Sequence, residues 1–125
     1  MTDRKPKRGV LLCVCQGTCP SFQQMNVFEV LNALRREKIV DWVGLHPQLC
    51  ADDGDVYLGQ LLSGATDLDY LYVAGCDPTM QRKMFRSIFE QVGFAPEKHR
   101  GVDIRNMTTD QAVDAIKQLI AEEGN

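Results

Sequence analysis

Gly9-Val10-Leu11-Leu12-Cys13-Val14-Cys15-Gln16-Gly17-Thr18-Cys19-Pro20 decides how the rest of the chain is read. Val10 to Val14 is apolar at every position, without the alternation of a strand that has one wet face. Such a run suits a strand buried on both faces, as in a parallel sheet. It then breaks at once: Gly17, Pro20 and Ser21 mark a loop over residues 16–25. Three cysteines lie where the run ends and the loop begins.

Outward from this stretch the pattern repeats. Ile39 to Leu45 and Leu68 to Ala74 are further apolar runs, followed by Cys50 and Cys76, and Gly101 to Ile104 is a short fourth one. Helical spacing fills the intervals. Asn26 suits a cap, with Val27, Val30, Leu31 and Leu34 behind it. Asp52-Asp53-Gly54-Asp55 opens a second helix with Val56, Leu58, Leu61 and Leu62 on its apolar side and Gly64 closing it. A third spans about 80–92, packing Met84, Ile88 and Phe89 and stopping at Gly93. Thr108-Thr109-Asp110 starts the last, which packs Ala112, Ala115, Ile116 and Leu119.

Strand and helix alternate four times, which predicts an α/β fold: a four-stranded, mainly parallel sheet with flanking helices and right-handed crossovers. The expected strand order is flavodoxin-like, 2-1-3-4. Open sheets of this kind bind ligands at the carboxyl ends of their strands, beside the point where the order switches. Cys13 and Cys15 end the first strand, Cys50 follows the second and Cys76 the third. Four cysteines, at three positions far apart in sequence, therefore fall on one rim.

The chain of 125 residues has the length of one domain and can bury a core without disulfides. Residues 1–8, with Arg4-Lys5-Pro6-Lys7-Arg8, read as a mobile basic leader, and residues 9–125 as a single cluster-binding domain. A net charge of −3 does not point to nucleic acid. No apolar run reaches membrane-spanning length, and the first is too short for a signal-peptide core, so a cytoplasmic location is expected. Five cysteines are many for such a chain. In a reducing compartment they suit metal ligation or redox chemistry better than disulfides, and an odd number cannot all pair internally.

Residues two apart on a strand face the same way, so Cys13 and Cys15 present two thiolates to one site, with Cys50 and Cys76 adding two more. Four thiolates suit a [4Fe–4S] cluster and equally a tetrahedral zinc ion. Cys19, in the loop, is the alternative to Cys13 in this set. A bland reading stands beside these, in which Cys50 and Cys76 are buried packing residues. A further signal is Cys76-Asp77-Pro78-Thr79-Met80-Gln81-Arg82, a Cys-x5-Arg spacing between strand and helix. Phosphatases and arsenate reductases place a nucleophile so. Against that enzyme, Pro78 removes an amide, no glycine lets the loop curl, and Asp77 adds negative charge. His46 reads as a strand end at the surface, His99 as a loop residue, and Trp42 and Tyr70 as core or partner-facing aromatics. Lys83 and Arg86 read as a solvated face of the third helix.

The opening stretch, with its apolar strand into Cys-x-Cys, resembles the N-terminal iron–sulfur domain of the heterodisulfide reductase A subunit. Leu71-Tyr72-Val73-Ala74-Gly75-Cys76-Asp77-Pro78, then Met84-Phe85-Arg86, is similar to that family's second signature. Val102-Asp103-Ile104-Arg105 is similar to a third, and Cys50 falls where the family carries an intermediate cysteine. The resemblance runs from about residue 8 to residue 120. It implies a [4Fe–4S] domain on Cys13, Cys15, Cys50 and Cys76. Its role would be electron transfer with a flavin- or iron–sulfur-containing oxidoreductase subunit in anaerobic metabolism, any flavin lying in the partner. The chain departs from the family at Gln16, which separates Cys15 from Gly17, at Gln81 for a histidine, at Asn106 for a glutamate, and in carrying Cys19.

Overall fold

The computed structural model describes residues 6–15, 19–63 and 67–122. Strands β1 (Arg8–Cys13), β2 (Trp42–His46), β3 (Tyr70–Gly75) and β4 (His99–Asp103) alternate with helices α1 (Val27–Glu37), α2 (Asp52–Ser63), α3 (Pro78–Val92) and α4 (Thr109–Ala121). The sheet is parallel throughout, in the order β2-β1-β3-β4. The expected architecture and strand order are therefore observed.

The apolar run of β1 is explained by its place in the sheet. Val10 and Leu12 face one layer, packing with Tyr72, Ala74 and Ile104 against Val30 and Leu34 of α1 and Ala112, Ile116 and Ile120 of α4. Leu11 faces the other, with Leu71 and Val73, against Leu58 and Leu62 of α2 and Phe85, Ile88 and Phe89 of α3. Both faces of the central strands are dry, so no alternation appears in their sequence.

The helix ends follow local chemistry. Asn26 accepts from the amides of Phe28 and Glu29. Thr108 and Gln111 form a reciprocal capping box on α4. Helix α3 starts at Pro78, two residues before the expected start, because Asp77 caps it and proline fits the first turn, where no amide is needed. Strand bounds shift by one to three residues; β4 begins at His99, two before Gly101, because register with β3 pairs Leu71 with His99. Val56, expected on the apolar side of α2, is 61% exposed, since Leu58 and Leu62 define the buried stripe. The expected stop at Gly64 lies outside the described residues, as do residues 1–5 of the basic leader. Lys7 and Arg8 are tied to Asp69 and Asp41 through their backbone amides. No described helix is long and apolar enough to cross a membrane.

Candidate metal centre

Strand order switches between β1 and β3: the chain leaves β1 for β2 on one side and returns to β3 on the other. The carboxyl ends of β1 and β3 thus flank the crevice of the fold. Cys13 closes β1, and Cys76 follows Gly75 at the end of β3. A Cβ on Gly75 would stand 2.9 Å from the Cys13 carbonyl oxygen and 3.1 Å from its Cβ. Glycine lets the two thiol-bearing strand ends close up.

Cys13 and Cys15 do not share a strand face. β1 ends at Cys13, and Cys15 adopts a positive φ of 48°. Cys13 packs with the α2/α3 layer, whereas Cys15 and Cys19 pack with the α1/α4 layer. Strand alternation does not reach Cys15, because the chain leaves the pleat before it. Charge on Cys15 is opposed by Cys13, Cys19, Cys50 and Cys76; Cys13 senses Cys50, and Cys76 senses both Cys13 and Cys50. Among the thiols, Cys19 is coupled to Cys15 alone.

Burial pushes the thiols of Cys13, Cys15 and Cys76 up from their ordinary value, and neighbouring thiolates add to this. For Cys13 the Leu49 amide, at 3.3 Å from Sγ, opposes the rise. Cys19 moves down, because the Ser21 amide and then its hydroxyl bond the thiolate. Cys50 is exposed, and Gln48 Nε2 donates to its Sγ at 3.3 Å. Among the described residues, no three His, Cys, Asp or Glu side chains already converge tightly enough to hold a metal ion. The donor set nonetheless fits a thiophilic centre: four soft sulfurs from three stretches of the chain, with N–H groups already donating to those of Cys13 and Cys50.

Both histidines correct the expectations made of them. His46 is buried, not a surface strand end. It accepts from the Gln48 amide at 2.9 Å and meets Asp53 at 3.2 Å, so it holds the loop carrying Cys50. His99 is the buried first residue of β4, not a loop residue. Its ring packs against Phe85 and Phe89, and burial lowers its pKa to about 4, so it is neutral at physiological pH. Arg105 carries a role that its sequence motif did not reveal. Its guanidinium, bound to Asp103 in a two-point pair at 3.0 and 2.7 Å, favours the charged form of both Cys19 and Cys76. An arginine just past β4, on the rim that holds the cysteines, was the signal available.

The large apolar side chains most exposed among the described residues are Phe28, Val56 and Met80. They lie near the starts of α1, α2 and α3, which in a parallel α/β sheet are on the same side as the carboxyl ends of the strands. A cavity of about 560 Å³, lined by Pro6, Arg8, Lys38, Ile39, Lys117 and Ile120, lies at the other end of the sheet and touches no thiol.

No family model matches the chain. The chain is 27% identical over 128 residues to the iron-sulfur A 1 subunit of the CoB–CoM heterodisulfide reductase of Methanopyrus kandleri, an alignment covering 96% of this chain. The chain resembles the heterodisulfide reductase A subunit. It spans 19% of the length of that relative.

Proposed function

We propose that this chain is an iron–sulfur electron-transfer module, equivalent to the N-terminal domain of the heterodisulfide reductase A subunit. It carries one [4Fe–4S] cluster on Cys13, Cys15, Cys50 and Cys76. The observation that supports this most is geometric: Cys13 and Cys76 stand at the ends of β1 and β3 beside the switch point, where Gly75 lets those ends close up, and the Leu49 amide ties the loop of Cys50 to Cys13 Sγ at 3.3 Å. Cys19 is the reserve ligand; its coupling to Cys15 alone supports a position on the flank of the set. The matched relative is named an iron-sulfur subunit.

When bound, such a cluster takes up and releases single electrons. The chain's own groups do the rest. Thiols of raised pKa release their protons on ligation, and the Leu49 amide and Gln48 side chain donate to Cys13 and Cys50. Arg105 offsets negative charge near Cys76. Phe28, Val56 and Met80 are exposed apolar side chains near the starts of α1, α2 and α3, and offer apolar surface to an oxidoreductase partner with its flavin or iron–sulfur centre. Lys83 and Arg86 are exposed on α3; a charge reversal there that left partner reduction unchanged would count against docking on that helix.

A Cys76 nucleophile is disfavoured by the same geometry. Arg82 is exposed and its Nη2 donates to Thr79 Oγ1 at 3.2 Å, while burial raises the Cys76 thiol where a nucleophile needs it lowered.

The test is iron and acid-labile sulfide, with absorption spectra before and after dithionite, on protein purified without oxygen. About four irons per chain and a broad band that bleaches support the cluster. Stoichiometric zinc without iron replaces it with a structural adaptor. No metal after anaerobic reconstitution overturns both.

A further inference from the structure

Three polar side chains are buried among the described residues: His46, Gln81 and His99. His46 serves the Cys50 loop. The other two form a chain that ends on Cys76. Gln81, only 1% exposed, donates from Nε2 to the Cys76 carbonyl oxygen at 2.9 Å. Its Oε1 lies 2.9 Å from His99 Nε2. An amide oxygen cannot donate, so His99 Nε2 carries the proton in this bond. Gly101 makes room: a Cβ there would stand 2.6 Å from Gln81 Oε1 and 3.0 Å from Pro78 Cβ.

An apolar side chain of similar volume would fill the space between α3 and the sheet without needing partners. What such a side chain lacks is a grip on the Cys76 carbonyl. No peptide bond is cis, and in a planar trans peptide the N–H points opposite to the C=O. With the Cys76 carbonyl bonded to Gln81, the Asp77 N–H points the opposite way, away from Gln81. That amide donates to no described residue.

We propose that Gln81, held by His99, is a positioning residue: it turns the Cys76–Asp77 peptide so that its N–H faces the thiol site, and so raises the reduction potential of the group held there. The inference rests on the iron–sulfur reading. An N–H aimed at ligand sulfur favours the reduced, more negative state.

Gln81→Met keeps the volume and removes both bonds. After anaerobic reconstitution its iron content is expected to match the unsubstituted protein. Its midpoint is expected to fall by about 59 mV or more, a tenfold change in the oxidised-to-reduced ratio for one electron. His99→Leu, which leaves the Gln81 donor but loosens it, should move the midpoint the same way by less. A loaded Gln81→Met protein with an unchanged midpoint overturns the proposal. If Gln81→Met does not fold, His99→Leu decides on the same criterion. A second readout needs no cluster: iodoacetamide alkylation of Cys76 in metal-free protein, mapped by mass spectrometry. Loss of a donor aimed at the thiolate should slow it about threefold, with Cys15 unchanged. Absence of iron in the unsubstituted protein, with Cys76 still slowed in the variant, sinks the cluster and keeps the positioning role. Equal alkylation rates sink the positioning role.

Discussion

The two ends of the sheet are built on opposite rules. At the amino end, polar groups close on one another. The Lys7 and Arg8 amides donate to Asp69 and Asp41, each at 2.7 Å; Lys7 Nζ pairs with Asp67 at 2.6 Å; Arg8 Nε reaches the Tyr72 hydroxyl at 3.2 Å. The Tyr70 ring takes the cations of Arg8 and Arg100 at 5.7 and 5.5 Å. At the carboxyl end, His46 and Gln81 hold backbone groups, while Cys50 is exposed and Cys13, Cys15, Cys19 and Cys76 are half-buried. One end is consumed in holding the strands. The other is held from below and keeps its sulfurs available.

That contrast is open to breakage from the largest effect down. Phe85, 1% exposed, lies under the rim against His99 and Phe89. Phe85→Ala is expected to cost about 3–5 kcal/mol in urea unfolding, as for other large buried aromatics. A loss below about 1 kcal/mol would mean that the rim does not rest on this layer.

His99 gives a pH signature. Its folded pKa of about 4 lies below the ordinary 6.5, so the unfolded chain binds the proton first as pH falls. Stability is full above about pH 6.5 and declines towards pH 4, by about 3 kcal/mol at 1.36 kcal/mol per pH unit. Unfolding measured across that window should show the slope, and His99→Leu should flatten it.

Gly75→Ala sets a Cβ against the Cys13 backbone, which cannot swing aside as a side-chain end can. A cost of about 1–3 kcal/mol is expected, with iron loading impaired as the strand ends part. Gly75→Ala protein that loads iron normally would show that this close approach is dispensable to the site.

The smallest effect belongs to the amino end. Lys7 and Asp67 form an exposed pair, and Lys7→Ala should cost under about 1 kcal/mol, less at high salt, with iron content untouched. A change in iron content there would erase the distinction between the two ends.

Much of the fold was legible because its central strands are wet on neither face. Val10 to Leu12 and Leu71 to Ala74 could only be read as buried strands, and cap and stop residues separated them. Parallel order then carried the cysteines to one rim without any contact being known. Legibility ended where side-chain direction depends on the exact end of a strand. Cys15 turns away from the pleat at a positive φ, so counting by twos misplaced it. Val56 fell on the wrong face because a short helix with four apolar positions admits two stripes. His46 and His99 carry no local signal of burial; their partners come from other elements or from the loop's return.

By itself, the sequence determined the layers, the strand order and the rim on which the thiols stand, since hydrophobic period and connection handedness are local or topological constraints. Only the tertiary structure decided which groups brace that rim. Gln81, in the first turn of α3, meets Cys76 five residues back, but its other partner, His99, is eighteen residues on, across the helix–sheet boundary. Arg105 reaches its effect on Cys76 from just past the next strand. Hydrogen bonds and fields act over ångströms of space, and distance in space is set by packing.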